Sequence, residues 1–275
     1  MLTKLAVLHH ALGRFGGGEK LAILHSINLK RMGFDVELFY GGPIIEDWRR
    51  RAASEVRLRN LPFAISNSSP NLDKLFRIAR YLESCDIILF HHHVDPLSAF
   101  LLSHLTKKRI GWYCGEPLRA LWEDWLSGNS YRALGASVKA TSIESYGRTV
   151  TKIFLSSALY GMTVNFLRSV DMATVTRFEK VIANSYYTRE VVSKLYPLDS
   201  VIPVVHPGVD LNFNSNHQLD PGPKRNDPMI LSVGAMIPMK NYPNMIRAFS
   251  LLRKDFMSSL KLVIVGDGPE RRSIK

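Results

Sequence analysis

MILSVGAMIPMKNYP, residues 229–243, is the stretch that decides the fold of this chain. A short apolar run, Met229–Val233, ends at Gly234 and is followed by an amphipathic segment, which is the pattern of a strand, a turn and a helix. A second apolar run, residues 260–265, ends in a Gly-Asp-Gly-Pro turn at residues 266–269. Strand, helix and strand in so short a span predict a parallel βαβ unit.

Lys240 is the one cation in the turn that follows the first of these strands. Ligands of parallel α/β sheets bind at the carboxyl ends of the strands. A lysine beside a glycine-terminated strand and a helix start is therefore a suitable counter-charge for a phosphate. A solvated loop lysine is the alternative interpretation.

Composition and charge indicate a globular protein with anionic partners. The chain has 275 residues, of which 46% are hydrophobic and 22% are charged, so we expect roughly two domains with a real core. The net charge of +12 favours nucleic acid, acidic lipid or phosphorylated small molecules. No basic region is interleaved with aromatics, so nucleic acid is not an expected partner. Trp48 beside Arg49–Arg51 would suit an anionic membrane surface, with a solvated basic face as the alternative.

The sequence predicts a cytoplasmic protein without a membrane-spanning helix. Cys85 and Cys114 lie far apart and lack metal-ligand spacing, which favours a reducing compartment. The N-terminus shows no basic region leading into an apolar segment, so no secretory signal is expected. The most apolar helical stretch, residues 153–167, is interrupted by polar residues and is too short to span a bilayer.

A second βαβ unit begins the chain. Residues 5–9 predict a buried strand, GRFGGG at 13–18 a turn, residues 19–32 a helix and residues 36–40 the next strand. Successive glycines let backbone N–H groups approach a phosphate at the helix N-terminus. The turn lacks the GxGxxG spacing, and no acidic residue ends the second strand, so a nicotinamide enzyme is not expected.

Three histidines, His91, His92 and His93, follow a predicted strand at 86–90. An imidazole at the carboxyl end of a parallel strand is placed to bond a substrate hydroxyl or phosphate. A metal site is the alternative, but side chains alternate along a strand and no second ligand cluster is evident, so no metal is predicted. The sequence leaves open which of the three points toward a ligand.

The middle of the chain adds another polar turn and a linker. A predicted strand at 110–114 leads into Glu116 and Arg119, which would either bind substrate or cap the next helix. Further strands are expected at 180–183 and 201–205. The polar segment 212–228, rich in proline and asparagine, predicts a linker between a domain of residues 1–211 and one of residues 229–275.

Six short motifs follow one another along the chain. They are GGGEK (16–20), CGEPLR (114–119), VIANSYYTRE (181–190), HPGVDLNF (206–213), ILSVGAMIPMKN (230–241) and LVIVGDGPE (262–270). Together they resemble the retaining glycosyltransferases of family 4. The resemblance implies an α/β fold of the GT-B type, in which the first Rossmann-like domain mostly binds the acceptor and the second binds a sugar nucleotide.

The resemblance also implies a function and a set of site residues. The reaction would transfer a hexose from a UDP- or GDP-sugar to a hydroxyl of a glycan or lipid-linked acceptor, with retention and without a cofactor or obligatory metal. Lipid-linked acceptors, which are common in this family, would place the protein at the periphery of the membrane. Gly16, Gly17, Gly18, Gly234 and Lys240 would contact the donor diphosphate. The candidates that line the pocket are His91, His92, His93, Glu116, Arg119, Gly266 and Gly268.

Three features depart from the family pattern. Ala235 stands where members commonly carry an arginine, and Gly115 where many carry a histidine. The chain reaches Lys275 before the paired glutamates that hold the donor sugar in the family. We therefore expect an incomplete sugar-nucleotide domain, and a non-catalytic binding module, or a chain that needs a second chain to complete the donor site, is the alternative function.

Overall fold

The structure, a computed structural model, describes residues 2–13, 16–61, 72–92, 96–118, 121–122, 157–208, 228–255 and 259–274. The chain divides into two units, residues 1–209 and 210–275. The linker predicted at 212–228 lies outside the described residues except for Pro228.

Among the described residues, six strands form the sheet of the first unit. They are β1 Lys4–Leu12, β2 Asp35–Ile44, β3 Arg57–Leu61, β4 Ile87–His91, β5 Arg109–Cys114 and β6 Lys180–Ala183. Their order is β3-β2-β1-β4-β5-β6, and every neighbouring pair is parallel. The predicted α/β class with a Rossmann-like parallel sheet is confirmed.

Helices connect these strands. They are α1 Gly17–Arg31, α2 Glu46–Ala53, α3 Leu72–Leu82, α4 Pro96–Leu105, α5 Ser157–Val175 and α6 Tyr186–Leu195. The strand order reverses between β1 and β4, because the chain builds outward to β3 and then returns. Such a reversal opens a crevice at the carboxyl ends of the two strands, which is where open α/β sheets bind ligands.

The two faces of the sheet carry separate cores. Along β1, Leu5 and Val7 pack with residues of α1 and α2, whereas Ala6 and Leu8 pack with residues of α3, α4 and α6. Alternation along a strand produces this division, since successive side chains point to opposite faces. Helices therefore cover both faces, as parallel sheets require.

Trp48 belongs to one of these cores and does not meet solvent. The side chains of Trp48 and Ala52 lie one helical turn apart on α2 and are both buried. Arg49 and Arg50 lie on the exposed side, 3.8 Å from Glu46 and 2.6 Å from Asp47 respectively. The prediction that Trp48 contacts a membrane is wrong, because its spacing with Ala52 turns the indole toward the sheet.

The segment 201–205 does not form the predicted strand. Its pairing with β6 is limited to a bridge between Val204 and Ala183, with Ala183 donating to the Pro203 carbonyl and Val205 donating to the Ala183 carbonyl. Pro203 has no N–H to donate, so the ladder stops there.

A buried carboxylate joins the first three strands. Glu37 of β2 accepts hydrogen bonds from Arg57 (2.8 Å) and Arg59 (2.9 Å) of β3, and its carboxylate lies 3.4 Å from the Lys4 ammonium. Burial by itself raises the pKa of Glu37, but the bonds from Arg59 and Arg57 outweigh it and the pKa lies below its usual value. A carboxylate of this kind stabilises the fold above its unfolded-state pKa and loses that contribution as the pH falls through its folded-state pKa.

We expect Glu37→Gln to lower the free energy of unfolding by about 1–2 kcal/mol at neutral pH, because it weakens two charge-assisted bonds to half-exposed arginines. The difference from wild type should shrink once the pH falls below about 4.3, the usual pKa of a glutamate. Urea titrations at several pH values measure it. Glu55→Gln, in the exposed pair with Arg31, is the control and should cost less; a Glu37 effect independent of pH would contradict the assignment.

The described part of the second unit forms a parallel βαβ unit, as predicted. It comprises β7 Met229–Val233, a 3-10 turn Pro238–Lys240, α7 Tyr242–Asp255, β8 Lys261–Val265 and a second 3-10 turn Pro269–Arg272. The strands pair in register from Met229 with Lys261 to Val233 with Val265. Leu231 and Val233 of β7 are 56% and 71% exposed. Among the helices of the described residues, none is both long and apolar enough to cross a membrane.

Candidate functional site

The carboxyl end of β7 places a lysine over a glycine. Gly234 donates its N–H to the Val265 carbonyl (2.9 Å) and accepts a hydrogen bond from the Tyr242 hydroxyl (3.0 Å). A Cβ at Gly234 would lie 4.0 Å from Cε of Lys240, so the lysine stem crosses the end of the strand. Within the described part of the chain, the exposed Lys240 ammonium forms no salt bridge. The corner therefore offers a positive charge beside a strand end.

Two glycines after β8 allow the neighbouring turns to touch. A Cβ on Gly266 would lie 1.9 Å from the Gly234 carbonyl oxygen, and one on Gly268 would lie 2.4 Å from the Met236 oxygen. Both glycines have φ angles near the limit of the left-handed region, 156° and 157°. Backbone bonds from Met236 N to Asp267 O (2.8 Å) and from Glu270 N to Met236 O (3.0 Å) hold the turns together. A close backbone approach of this kind is open only to glycine.

In the first unit, the glycine turn after β1 becomes the first turn of α1. Gly16 is the N-cap residue in an extended conformation, and Gly17 and Gly18 are the first helical residues. The first N–H groups of a helix have no acceptor within the helix and attract anions. A Cβ on Gly17 would meet open space, whereas one on Gly18 would lie 2.6 Å from Nε2 of His92.

His92, directly after β4, adopts a backbone conformation that is uncommon for a residue with a side chain, with φ 64°. Its N–H donates to the Tyr113 carbonyl (2.9 Å), and its carbonyl accepts from the indole N–H of Trp112. Its ring also fills the space above Gly115, where a Cβ would lie 2.1 Å from Cε1. Backbone bonds on both sides hold the strained conformation, and strain of this type clusters at functional sites.

His91 is fully buried beneath this position. Its Nε2 lies 3.1 Å from Nδ1 of His25, and its ring stacks on Tyr113 at 5.0 Å. Burial lowers the pKa of His91 well below its usual range, and the neighbouring His9 and His25 add to the effect. Burial also lowers the pKa of His25. The rings of His91 and His25 are therefore neutral near pH 7. Of His91 and His92, it is His92 that keeps exposed surface.

We expect Gly115→Ala to displace the His92 ring without unfolding the protein, because the added methyl group would collide with the end of a side chain rather than with backbone. The melting temperature should fall by only a few degrees, while the NMR resonances of the His92 ring shift. Gly17→Ala, which adds the same methyl group in open space, is the matched control. An unchanged His92 resonance in Gly115→Ala would contradict this packing.

The remaining predicted residues divide into two groups. Glu116 is half-buried just after β5, near the carboxyl edge where His92 lies. His93 and Arg119 lie outside the described residues. Sequence reasoning missed His9, His10 and His25, which the fold brings to the same edge; the signal available was a His-His pair at the end of the first strand.

Comparison with family models identifies one segment. Residues 215–275 match the family described as Glycosyl transferases group 1. No curated protein has significant sequence similarity to the chain.

Solved structures with a similar fold are glycosyltransferases and a sugar-phosphate synthase. HepE of Anabaena, in complex with UDP and glucose, is 13% identical with a TM-score of 0.61, over 99% of this chain and 64% of that one. A glycosyltransferase from Rickettsia africae is 16% identical with a TM-score of 0.58, over 98% of this chain and 62% of that one. Sucrose-phosphate synthase from Thermosynechococcus elongatus is 14% identical with a TM-score of 0.59, over 98% of this chain and 64% of that one. The chain thus spans slightly less than two thirds of the length of each. It has the α/β fold of these GT-B glycosyltransferase structures, and its C-terminal segment matches glycosyl transferases group 1.

Proposed function

We propose that the chain acts in glycosyl transfer, moving a hexose from a nucleotide-diphosphate sugar to a hydroxyl acceptor with retention, as a member of family 4. The observation that carries the proposal is the family match of residues 215–275, which falls on the unit that contains the Gly234 and Lys240 corner. The neighbour HepE was solved with UDP and with UDP-glucose, which supports a UDP-sugar as the donor class.

Lys240 supplies positive charge to the leaving diphosphate in this proposal. Transfer breaks the bond between the sugar and the diphosphate, and the negative charge that develops on the leaving oxygen needs positive partners. The exposed Lys240 ammonium, whose stem crosses the end of β7, would be that partner. We propose no metal ion at the diphosphate for this reason. Gly266 and Gly268 would allow the nucleotide to border a close-packed turn.

His92 is the proposed imidazole of the first unit's site. Gly115 occupies the position at which many members of the resembled family carry a histidine, and the His92 ring fills the space above it. A ring held between Gly18 and Gly115 at the carboxyl edge of β4 and β5 is placed to bond a sugar hydroxyl. The acceptor, a glycan or a lipid-linked sugar, would bind on this unit, with Glu116 at its border.

The decisive experiment is a transfer assay with the purified chain and a panel of UDP- and GDP-sugars, with products identified by mass spectrometry and NMR of the anomeric proton. The expected result is one preferred donor and a product that keeps the donor's anomeric configuration. An inverted product would overturn retention. Neither transfer nor hydrolysis with any donor, together with no binding of UDP or GDP, would overturn the proposal.

A binding module is the second candidate, because β7 exposes apolar side chains. Ile230, Leu231 and Val233 are 39%, 56% and 71% exposed in the described second unit, and exposed apolar patches mark surfaces that other protein covers. In that case the chain would bind UDP or an acceptor but turn over no donor by itself. Addition of a second protein that restores transfer would support this candidate.

Peripheral membrane association stays a prediction, and so does the cytoplasmic location. Since Trp48 is buried, attraction would come from basic residues such as the arginines of α2. Arg49 and Arg50 pair with Glu46 and Asp47, so each should contribute less than the roughly 1 kcal/mol of an unpaired basic residue near an anionic surface. We expect weak, salt-sensitive flotation with anionic liposomes and none with neutral ones. Arg49→Gln with Arg50→Gln should reduce it; flotation that persists in high salt would contradict an electrostatic mode.

A further inference from the structure

Three side chains that the transfer proposal does not use converge at the carboxyl end of β1. They are His9, His10 and Glu19, and one ring nitrogen of each histidine and one carboxylate oxygen all lie within 4.8 Å of one another. Two imidazoles and one carboxylate are a ligand set of zinc and non-haem iron sites. His9 and Glu19 are buried, and His10 is half-buried.

A β-bulge explains how two neighbouring residues of a strand come to the same side. Along β1, His9 pairs with Tyr40 and Ala11 with Gly41, so that His10 has no partner in the register. In a regular strand the two side chains would point to opposite faces. The extra residue turns the chain and re-aims a side chain, and the two rings lie 4.6 Å apart, centroid to centroid.

The His9 ring is oriented by a second contact. Its Nδ1 lies 3.2 Å from the carbonyl oxygen of His91. A carbonyl only accepts hydrogen bonds, so Nδ1 carries the hydrogen and Nε2 carries a lone pair. Histidines that bind metals are held in this way, with the other ring nitrogen donating to a backbone carbonyl or carboxylate.

Glu19 brings a negative charge that the described protein does not balance. The residue is 8% exposed, and its carboxylate forms no hydrogen bond or salt bridge with any other described residue. As the third residue of α1 it stands where a capping glutamate would bond back to the N-cap N–H, yet no such bond to Gly16 is formed among the described residues. Attraction to the helix N-terminus stabilises such a charge only modestly, and a buried carboxylate calls for a cation.

We propose that His9, His10 and Glu19 bind one divalent transition-metal ion, of the class represented by zinc. Ligand atoms about 2.0–2.2 Å from zinc lie roughly 3.5 Å apart in a tetrahedral site. The present separations are at most 4.8 Å, so binding would shorten none of them by more than about 1.3 Å. Side-chain rotation at the half-buried His10 supplies that movement. Three protein ligands leave a fourth position for water or a substrate oxygen. This site lies wholly within the first unit and goes beyond the proposed transfer of sugar.

The test is zinc binding to the full chain, measured by competition with a chromophoric chelator and checked by the visible bands of tetrahedral cobalt(II). We expect one ion per chain. Glu19→Gln and His10→Asn should each weaken binding by more than about 100-fold, because loss of outer-shell partners alone costs 10–100-fold. Circular dichroism of each variant establishes that it is folded, and neither substitution replaces the fully buried His9.

His104→Asn is the matched control, since His104 is exposed on α4 and bonds its own helix through the Phe100 carbonyl. It should bind zinc as wild type does. Equal affinity in wild type and Glu19→Gln, or no stoichiometric binding in wild type, would overturn the site. Because the readout is metal binding, a chain that transfers no sugar can still support the proposal, and a chain that transfers sugar can still refute it.

Discussion

Gly266→Ala is expected to disrupt the β7 and β8 pair and to abolish UDP binding. The added Cβ would lie 1.9 Å from the Gly234 carbonyl oxygen, and the backbone φ of 156° is itself strained for alanine. The atom that it meets is backbone, so relief requires the strand ends to separate, at a cost of several kcal/mol. Hydrogen exchange of the β7 and β8 amides measures the loss as reduced protection.

Gly208→Ala is the control for this prediction, because a Cβ at Gly208 meets nothing within 4 Å. Its exchange pattern and UDP binding should match those of wild type. Unchanged amide protection in Gly266→Ala would show that the two turns do not approach as closely as the structure has them.

Lys240→Ala is expected to weaken binding of UDP or GDP by about ten-fold or more, since a charge-assisted bond to a phosphate contributes roughly 1.5–3 kcal/mol. Binding of the uncharged nucleoside should change little. Titration calorimetry with both ligands separates the two, and Lys240→Arg should retain part of the affinity.

Lys254→Ala removes an equivalent charge from the exposed last turn of α7 and controls for the overall field of this basic chain. An equal loss of affinity for nucleoside and diphosphate in Lys240→Ala would mean that Lys240 is not a diphosphate ligand. A loss of the same size in Lys254→Ala would mean that net charge, rather than a local contact, binds the nucleotide.

The sequence predicts most of the sheet because apolar runs followed by glycine or histidine mark strand ends. The strands predicted at Met229–Val233 and Lys180–Ala183 have the same bounds in the structure. The strand predicted at 201–205 does not form. The segment is apolar, but Pro203 has no N–H with which to continue the pairing to β6. The membrane contact expected of Trp48 is wrong, because the spacing of Trp48 and Ala52 on α2 turns the indole into the core.

The two candidate sites differ in how far the sequence predicts them. The corner at Gly234 and Lys240 is local in sequence, so a strand-turn-helix pattern is enough to predict it. The group at His9 and His10 depends on a bulge that skips one residue of the register, and regular alternation predicts that the two rings lie apart. A bulge depends on how both strands pair, so inspection of one strand does not reveal it.

The wedged ring of His92 makes three distant positions depend on one another. The same imidazole occupies the space beside both Gly18 and Gly115, and the three residues come from α1, the position directly after β4 and the turn after β5. Substitution costs at these positions should therefore be non-additive, since a methyl group at Gly115 has nothing to displace once the ring is gone. Larger residues at 18 and 115 should therefore be tolerated only together with a residue smaller than histidine at 92.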